Sequence, residues 1–238
     1  MVDLNRLYED DNVLNVFVYG SHLYGSYDES SDIDYIIVAR EWFDSDDVNA
    51  QVYTVEQFRM ALDRHDIQAM ECVCAPAAFV MKNGYEWKVP DIDRQKLRMS
   101  ISTIASNSWV KGKKKLLVSG DYDVKLAIKS VFHSLRILDY GIQIATSGKV
   151  YEWDSMNYVL EDLRKLSYQR EDLWNAIDTK YRKVFNSKSS EFKSLAPKDS
   201  TTKDLKQQLL NVFNKYGIGK DWPLESGMLD EILNMFDK

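Results

Sequence analysis

Apolar positions follow two rhythms along this chain. Before residue 92 they come in short blocks. Val13–Tyr19 is a β-branched and aromatic run stopped by Gly20, Asp34–Ala39 is a second, and Gln51–Thr54 is a short third. Thr54 opens a helix: its hydroxyl is a cap, Gln57 stands at capping-box spacing, and Phe58, Ala61 and Leu62 form the apolar face. Ala69–Ala75 is apolar except for Glu71 and ends at Pro76; Cys72 and Cys74 read as neighbours on one strand. Strands alternating with helices predict an α/β layer.

After residue 92 the period lengthens to that of helices. Leu126, Ile128, Val131, Phe132, Leu135, Ile137 and Leu138 fall near one wide face, and Gly148 follows. Leu160, Leu163 and Leu166 form one stripe, and Leu173, Ile177, Tyr181 and Val184 another. Residues 93–238 are therefore expected to be mostly helical, with polar Ser187–Thr202 as a connector.

Charge sharpens this division. Residues 1–90 carry 17 acids and 6 bases, a charge of −11; residues 91–238 carry 20 acids and 25 bases, a charge of +5. An acidic front and a basic back suit a metal-binding half beside a half that meets something anionic. Two cysteines are too few for a zinc site, and reduced, buried thiols in a cytoplasmic protein are the simplest reading. No apolar run approaches the roughly 20 residues of a membrane span. The first residues have neither the basic nor the apolar region of a signal peptide.

The chemistry concentrates in VFVYGSHLYGSYDESSDIDYIIV, residues 16–38. Residues i and i+2 of a strand share a face, so Asp32 and Asp34 aim two carboxylates the same way. Two such carboxylates resist joint ionisation unless a hard cation lies between them. Mg²⁺ takes oxygen ligands and completes its shell with water and substrate phosphates, so an acid-x-acid at a strand end suits a Mg²⁺-phosphate site. Gly20 permits close backbone approach to a ligand, the turn offers N–H groups to a phosphate, and Ser21 adds a hydroxyl.

An apolar run, Gly-Ser, ten residues, then Asp-apolar-Asp and a second apolar run resembles the signature of the polymerase-beta-like nucleotidyltransferase superfamily. YGSHLYGSYDESSDIDYIIV is most similar to a branch of predicted nucleotidyltransferases linked to RNA repair. The likeness covers about residues 13–80 and continues more weakly into KLAIKSVFHSLRILDYGIQIATSGKV. It implies an α+β fold. A nucleotidyltransferase domain over 1–92, a mixed sheet with helices, would precede a helical domain over 93–238 that completes the cleft and binds the acceptor. It also implies transfer of a nucleoside monophosphate from an NTP, ATP among them, to a hydroxyl, with two Mg²⁺ or Mn²⁺ ions and release of pyrophosphate. Asp32 and Asp34 would hold both ions, and Gly20 and Ser21 the β- and γ-phosphates. Lys129, His133 and Arg136, on one helix face at i, i+4 and i+7, would reach the nucleotide or acceptor from across the cleft.

The third metal-binding acid of such enzymes is Glu71 or Asp47. Many relatives carry it on the strand where this chain has Asn49 and Gln51. An acid on an apolar segment is costly unless paired or metal-bound, which favours Glu71. Lys111, Lys113, Lys114 and Lys115, with Trp109 nearby, suit a nucleic-acid backbone and a stacked base. His22 and Tyr24 sit in the phosphate turn, and Arg64 and His65 read as an exposed helix end. RNA or tRNA is the favoured acceptor; a protein or a small molecule is the other. The competing functions are an antitoxin-like scaffold that binds a protein partner and a nucleotide sensor on the same fold.

Overall fold

The computed structural model describes residues 4–45, 49–166 and 172–198. Helix α1 (Leu4–Glu9) leads into β1 (Val13–Tyr19). A one-turn α2 (Gly20–Leu23) follows, then β2 (Asp34–Ala39), β3 (Ala50–Thr54), α3 (Val55–Asp63), α4 (Ile67–Cys74) and β4 (Val80–Asn83). Four longer helices complete the described chain: α5 (Arg94–Leu117), α6 (Val124–Ser147), α7 (Asn157–Leu166) and α8 (Leu173–Leu195).

The sheet is mixed, in the order β3-β2-β1-β4. β1 pairs antiparallel with β2 and β4, and β2 pairs parallel with β3. Strand alternation splits the apolar side chains between two faces. Phe17, Ile36 and Val38 join a core with α3, α4, α5, α6 and Phe192 of α8. Val16, Val18, Tyr35 and Ile37 pack on the other face with Leu7. Asp34 has the parity of Ile36 and Val38, so its carboxylate belongs to the helix-covered face of the sheet, at its end.

Side-chain caps delimit the helices. Thr54 and Gln57 form the expected capping box on α3. Asp93 accepts from the N–H groups of Gln95 and Lys96 at the start of α5, and Asp123 from Leu126 at the start of α6. Helices α5 and α6 approach closely at Gly112, where a Cβ would come within 2.7 Å of a Val131 methyl. A second core joins these helices to α7 and α8 around Trp109, Leu135, Leu163 and Ile177. Among the described residues no helix is long and apolar enough to cross a membrane.

Four expectations need correction. The apolar run through Glu71 is the helix α4: Asp66 caps it by accepting from Gln68 N–H, and buried residues occupy one side and more of its two turns. Ser187–Leu195 continues α8, anchored by fully buried Phe192 and by Lys188, which pairs with Asp139 at 2.6 Å; residues 199–202 lie outside the described residues. Trp109, only 3% exposed, packs against Trp174 and Phe185 and offers no surface for a base. His65 is buried rather than exposed. Its Nε2 accepts the Asp93 N–H at 2.8 Å, so its proton sits on Nδ1, facing the Leu62 carbonyl.

Candidate active site

Asp34 lies on the wall shared by two cavities. The first, about 420 Å³, has Ser21, Ser31, Lys111, Lys129, His133 and Arg164 among its polar walls. The second, about 390 Å³, is bounded by Gly20, Asn49, Gln51, Gln68 and again His133. Tyr24, Asp34, His133 and Arg136 border both. The first is thus rich in cations and hydroxyls, with Arg164 paired to Asp28 at 3.1 Å. The second is rich in side-chain amides. Gln51 donates to the Tyr53 hydroxyl, Tyr53 to Gln68, and Gln68 back to Gln51, a closed ring of hydrogen bonds between β3, the neighbour of β2, and α4.

Gly20 explains how Asp34 reaches this position. Its φ is +69°, and a Cβ there would lie 2.1 Å from Asp34 Oδ2. The backbone of α2 and the carboxylate therefore share space that only glycine leaves open. Gly20→Ala is expected to cost roughly 1–2 kcal/mol of stability from the left-handed backbone alone. Displacing the carboxylate by about 1 Å should lower any transfer rate about 100-fold. Thermal unfolding and turnover, measured together, check that the rate falls far more than stability.

Burial raises the Asp34 pKa, and the neighbouring Asp32 carboxylate raises it further, against opposing effects of His22 and Lys129. Asp32 is exposed and lies two residues before β2, outside the strand on which the sequence pattern placed both acids. This pair is the one that a hard cation would relieve. Among the described residues no three His, Cys, Asp or Glu side chains gather where they would hold a metal ion. The donor set fits Mg²⁺ as a carboxylate pair completed by phosphate oxygens and water. Asp47 lies outside the described residues.

Glu71 lies beneath this site, bordering neither cavity. It is fully buried. Arg136 NH1 donates to its Oε1 at 2.6 Å, and the Tyr19 and Tyr24 hydroxyls donate to Oε2 at 2.5 and 3.0 Å. The condition that made Glu71 notable in the sequence, an acid that must be paired or metal-bound, is met here by pairing. Arg136 is 1% exposed and lies over the Tyr24 ring at 3.5 Å. Burial alone would lower its pKa; Tyr24, Glu71, Tyr140 and Tyr19 outweigh that and hold the guanidinium charged. Burial and Glu71 likewise raise the Tyr19 pKa, keeping it a neutral donor.

Arg136 NH2 also reaches His133 Nδ1 at 3.0 Å. Burial, Arg136 and Lys111 push the His133 pKa down to about 3, so the imidazole is neutral at physiological pH. Lys129, one turn earlier, is exposed on the wall of the first cavity. The structure thus brings together Gly20, Ser21, Asp34, Lys129 and His133, with Asp32 beside them. Arg136 and Glu71 underlie them as a buried pair. Tyr24 is an integral part of that pair's cage, while His22 stacks on Tyr27 at 4.6 Å.

Reading the sequence overlooked Tyr19, Arg164 and Asn157. The Asn157 side chain donates to the Tyr24 and Gly25 carbonyls and ties α7 to the Gly-Ser turn. No local pattern signals such a bond across more than 130 residues.

No curated protein and no solved structure matches the chain. A family match does exist, to the domain as a whole rather than to its RNA-repair-linked branch, and it spans Gly20, Ser21, Asp32 and Asp34. Residues 3–69 match the family model of the nucleotidyltransferase domain, which supports nucleotidyl transfer as the general function.

Proposed function

We propose that this protein transfers a nucleoside monophosphate from an NTP to a hydroxyl acceptor. The observation that carries this reading is the position of Asp34 between a cation-rich cavity and an amide-rich one. The triphosphate lies in the first, where Ser21, Lys111 and Lys129 bind its oxygens, and the acceptor enters the second. The new bond joins the acceptor oxygen to the α-phosphorus. The bond to the α–β bridging oxygen breaks, pyrophosphate leaves with the electron pair, and the hydroxyl proton passes to solvent. Domains of this family generally use divalent metals. Mg²⁺ or Mn²⁺ held by Asp32 and Asp34 would supply the charge that stabilises the transferring phosphate in a two-metal scheme.

In this reading the chain after residue 93 completes the cleft: α5, α6 and α7 supply much of the first cavity's wall, and residues 199–238 lie outside the described residues. Lys113 and Lys114 extend the positive charge along exposed α5, which favours an RNA end as acceptor over a small molecule. A nucleotide sensor is the second reading. It draws support from Glu71, whose carboxylate is engaged by Arg136, Tyr19 and Tyr24.

Incubation with each α-labelled NTP, Mg²⁺ or Mn²⁺, and total RNA or lysate separates these readings. Label moving to RNA with wild type, but not with the Asp32→Ala/Asp34→Ala variant, is expected. Nucleotide binding without transfer under any condition would leave the sensor. Lys129→Ala is expected to raise the nucleotide KM about 10- to 100-fold, the worth of one charged hydrogen bond. Its melting temperature should hardly change, because Lys129 is exposed. A large loss of stability with unchanged KM would remove Lys129 from the phosphate site.

A further inference from the structure

Resting on the transferase reading, we infer that His133 acts as a fixed neutral hydrogen-bond donor, presenting Nε2–H to a non-bridging oxygen of the transferred α-phosphate. The assignment begins with Arg136. A guanidinium has donors and no acceptor. Its NH2 lies 3.0 Å from His133 Nδ1, so Nδ1 must be the accepting, unprotonated nitrogen. The imidazole proton is then on Nε2, and Nε2 makes no hydrogen bond among the described residues. Arg136 cannot turn away to release Nδ1, because NH1 is held by buried Glu71 and the guanidinium plane is stacked on Tyr24.

His133 borders both cavities, as Asp34 does. The group at that boundary, with donor nucleotide on one side and acceptor on the other, is the phosphate being transferred. The charged groups around the imidazole are Arg136 on its own helix, Lys111 from α5, Asp34 from β2, and Lys129 one turn away. Burial first, and then Arg136 and Lys111, keep the ring neutral. A neutral Nε2–H serves as a donor at every pH where the protein functions, and it leaves no lone pair for removing the acceptor proton. His133 is therefore not a general base. The chain from Tyr19 and Tyr24 through Glu71 and Arg136 to His133 sets both tautomer and ring orientation before any substrate arrives.

The test starts with ¹⁵N-histidine-labelled protein, where three histidines give three imidazole signals. The set that disappears in His133→Gln is expected to show the Nε2–H tautomer. Addition of Mg²⁺ and an ATP analogue with a methylene between the α- and β-phosphorus should then shift its Nε2–H proton. In the transfer assay, His133→Phe should lower kcat about 10- to 100-fold with little change in KM. His133→Gln, whose amide both accepts and donates, should keep most of the rate. An Nδ1–H tautomer, no response to the nucleotide analogue, or full kcat in His133→Phe would each overturn the assignment. The tautomer is read without turnover, so it stands or falls separately from the transferase reading.

Discussion

Glu71→Ala is expected to destabilise this protein by about 3–5 kcal/mol, the usual cost of removing one partner from a buried ion pair. For a chain of this size that corresponds to a fall in melting temperature of roughly 6–20 °C. The physical reason is the guanidinium left behind. Arg136 is 1% exposed, on the inward face of α6, and its bond to Glu71 at 2.6 Å supplies its one buried anionic partner among the described residues. Two phenol hydroxyls, on Tyr19 and Tyr24, lose their acceptor at the same time. Each buried donor left unsatisfied adds about 1–3 kcal/mol unless water enters.

The double variant Glu71→Leu/Arg136→Met tells stability apart from function. Replacing a whole buried ion pair by apolar residues of similar volume is often neutral. The double variant should therefore recover most of the melting temperature lost by Glu71→Ala. It should not recover transfer, because His133 Nδ1 no longer has Arg136 to define its tautomer. Recovery of both by the double variant would show that the pair serves folding alone. A Glu71→Ala protein as stable as wild type would mean that Arg136 finds another partner.

This pair also shows where reading a sequence reaches its limit. Glu71 and Arg136 are each a lone charge inside an apolar run, but the sequence pattern marks only Glu71 as needing a partner and sets Arg136 with Lys129 and His133 on a helix face. Their separation of 65 residues hides that the partner of each is the other. Strands β1, which stops just before Gly20, and β2, which starts at Asp34, were legible to the residue, because β-branched runs bounded by Gly and by an acidic turn admit one reading. The α3 cap was legible because its two bonds span only three residues. Helix α4 was not: a seven-residue apolar run suits strand and helix alike, and the deciding signal, Asp66 at the cap, is a single residue. Polar Ser187–Leu195 is helical because Phe192 and Lys188 anchor it to distant groups, which outweighs its composition. The amide ring of Gln51, Tyr53 and Gln68 likewise takes shape only once β3 lies beside α4.

Asp34→Asn should reduce nucleotidyl transfer by about 10³-fold or more, since metal stabilisation of the transferring phosphate is worth several kcal/mol and each 1.36 kcal/mol is tenfold. The same substitution should stabilise the metal-free protein at pH 7. In the folded chain the Asp34 pKa lies above its ordinary value of 3.8, through burial and then through Asp32. The folded state thus holds that proton more tightly than the unfolded state does. The stability this contributes is complete at pH values below 3.8 and is lost as pH rises through the folded pKa. The cost is first that of burying the Asp34 charge and then that of the neighbouring Asp32 carboxylate, and asparagine removes both. Melting temperatures in EDTA should therefore be higher for Asp34→Asn than for wild type at pH 7, and the difference should shrink on acidification. Mg²⁺ should raise the melting temperature of wild type and leave the variant nearly unmoved, because the variant lacks the second carboxylate. Equal melting temperatures for the two proteins in EDTA at pH 7, with equal responses to Mg²⁺, would show that Asp32 and Asp34 neither repel each other nor share a cation, and would remove the metal-binding role from both.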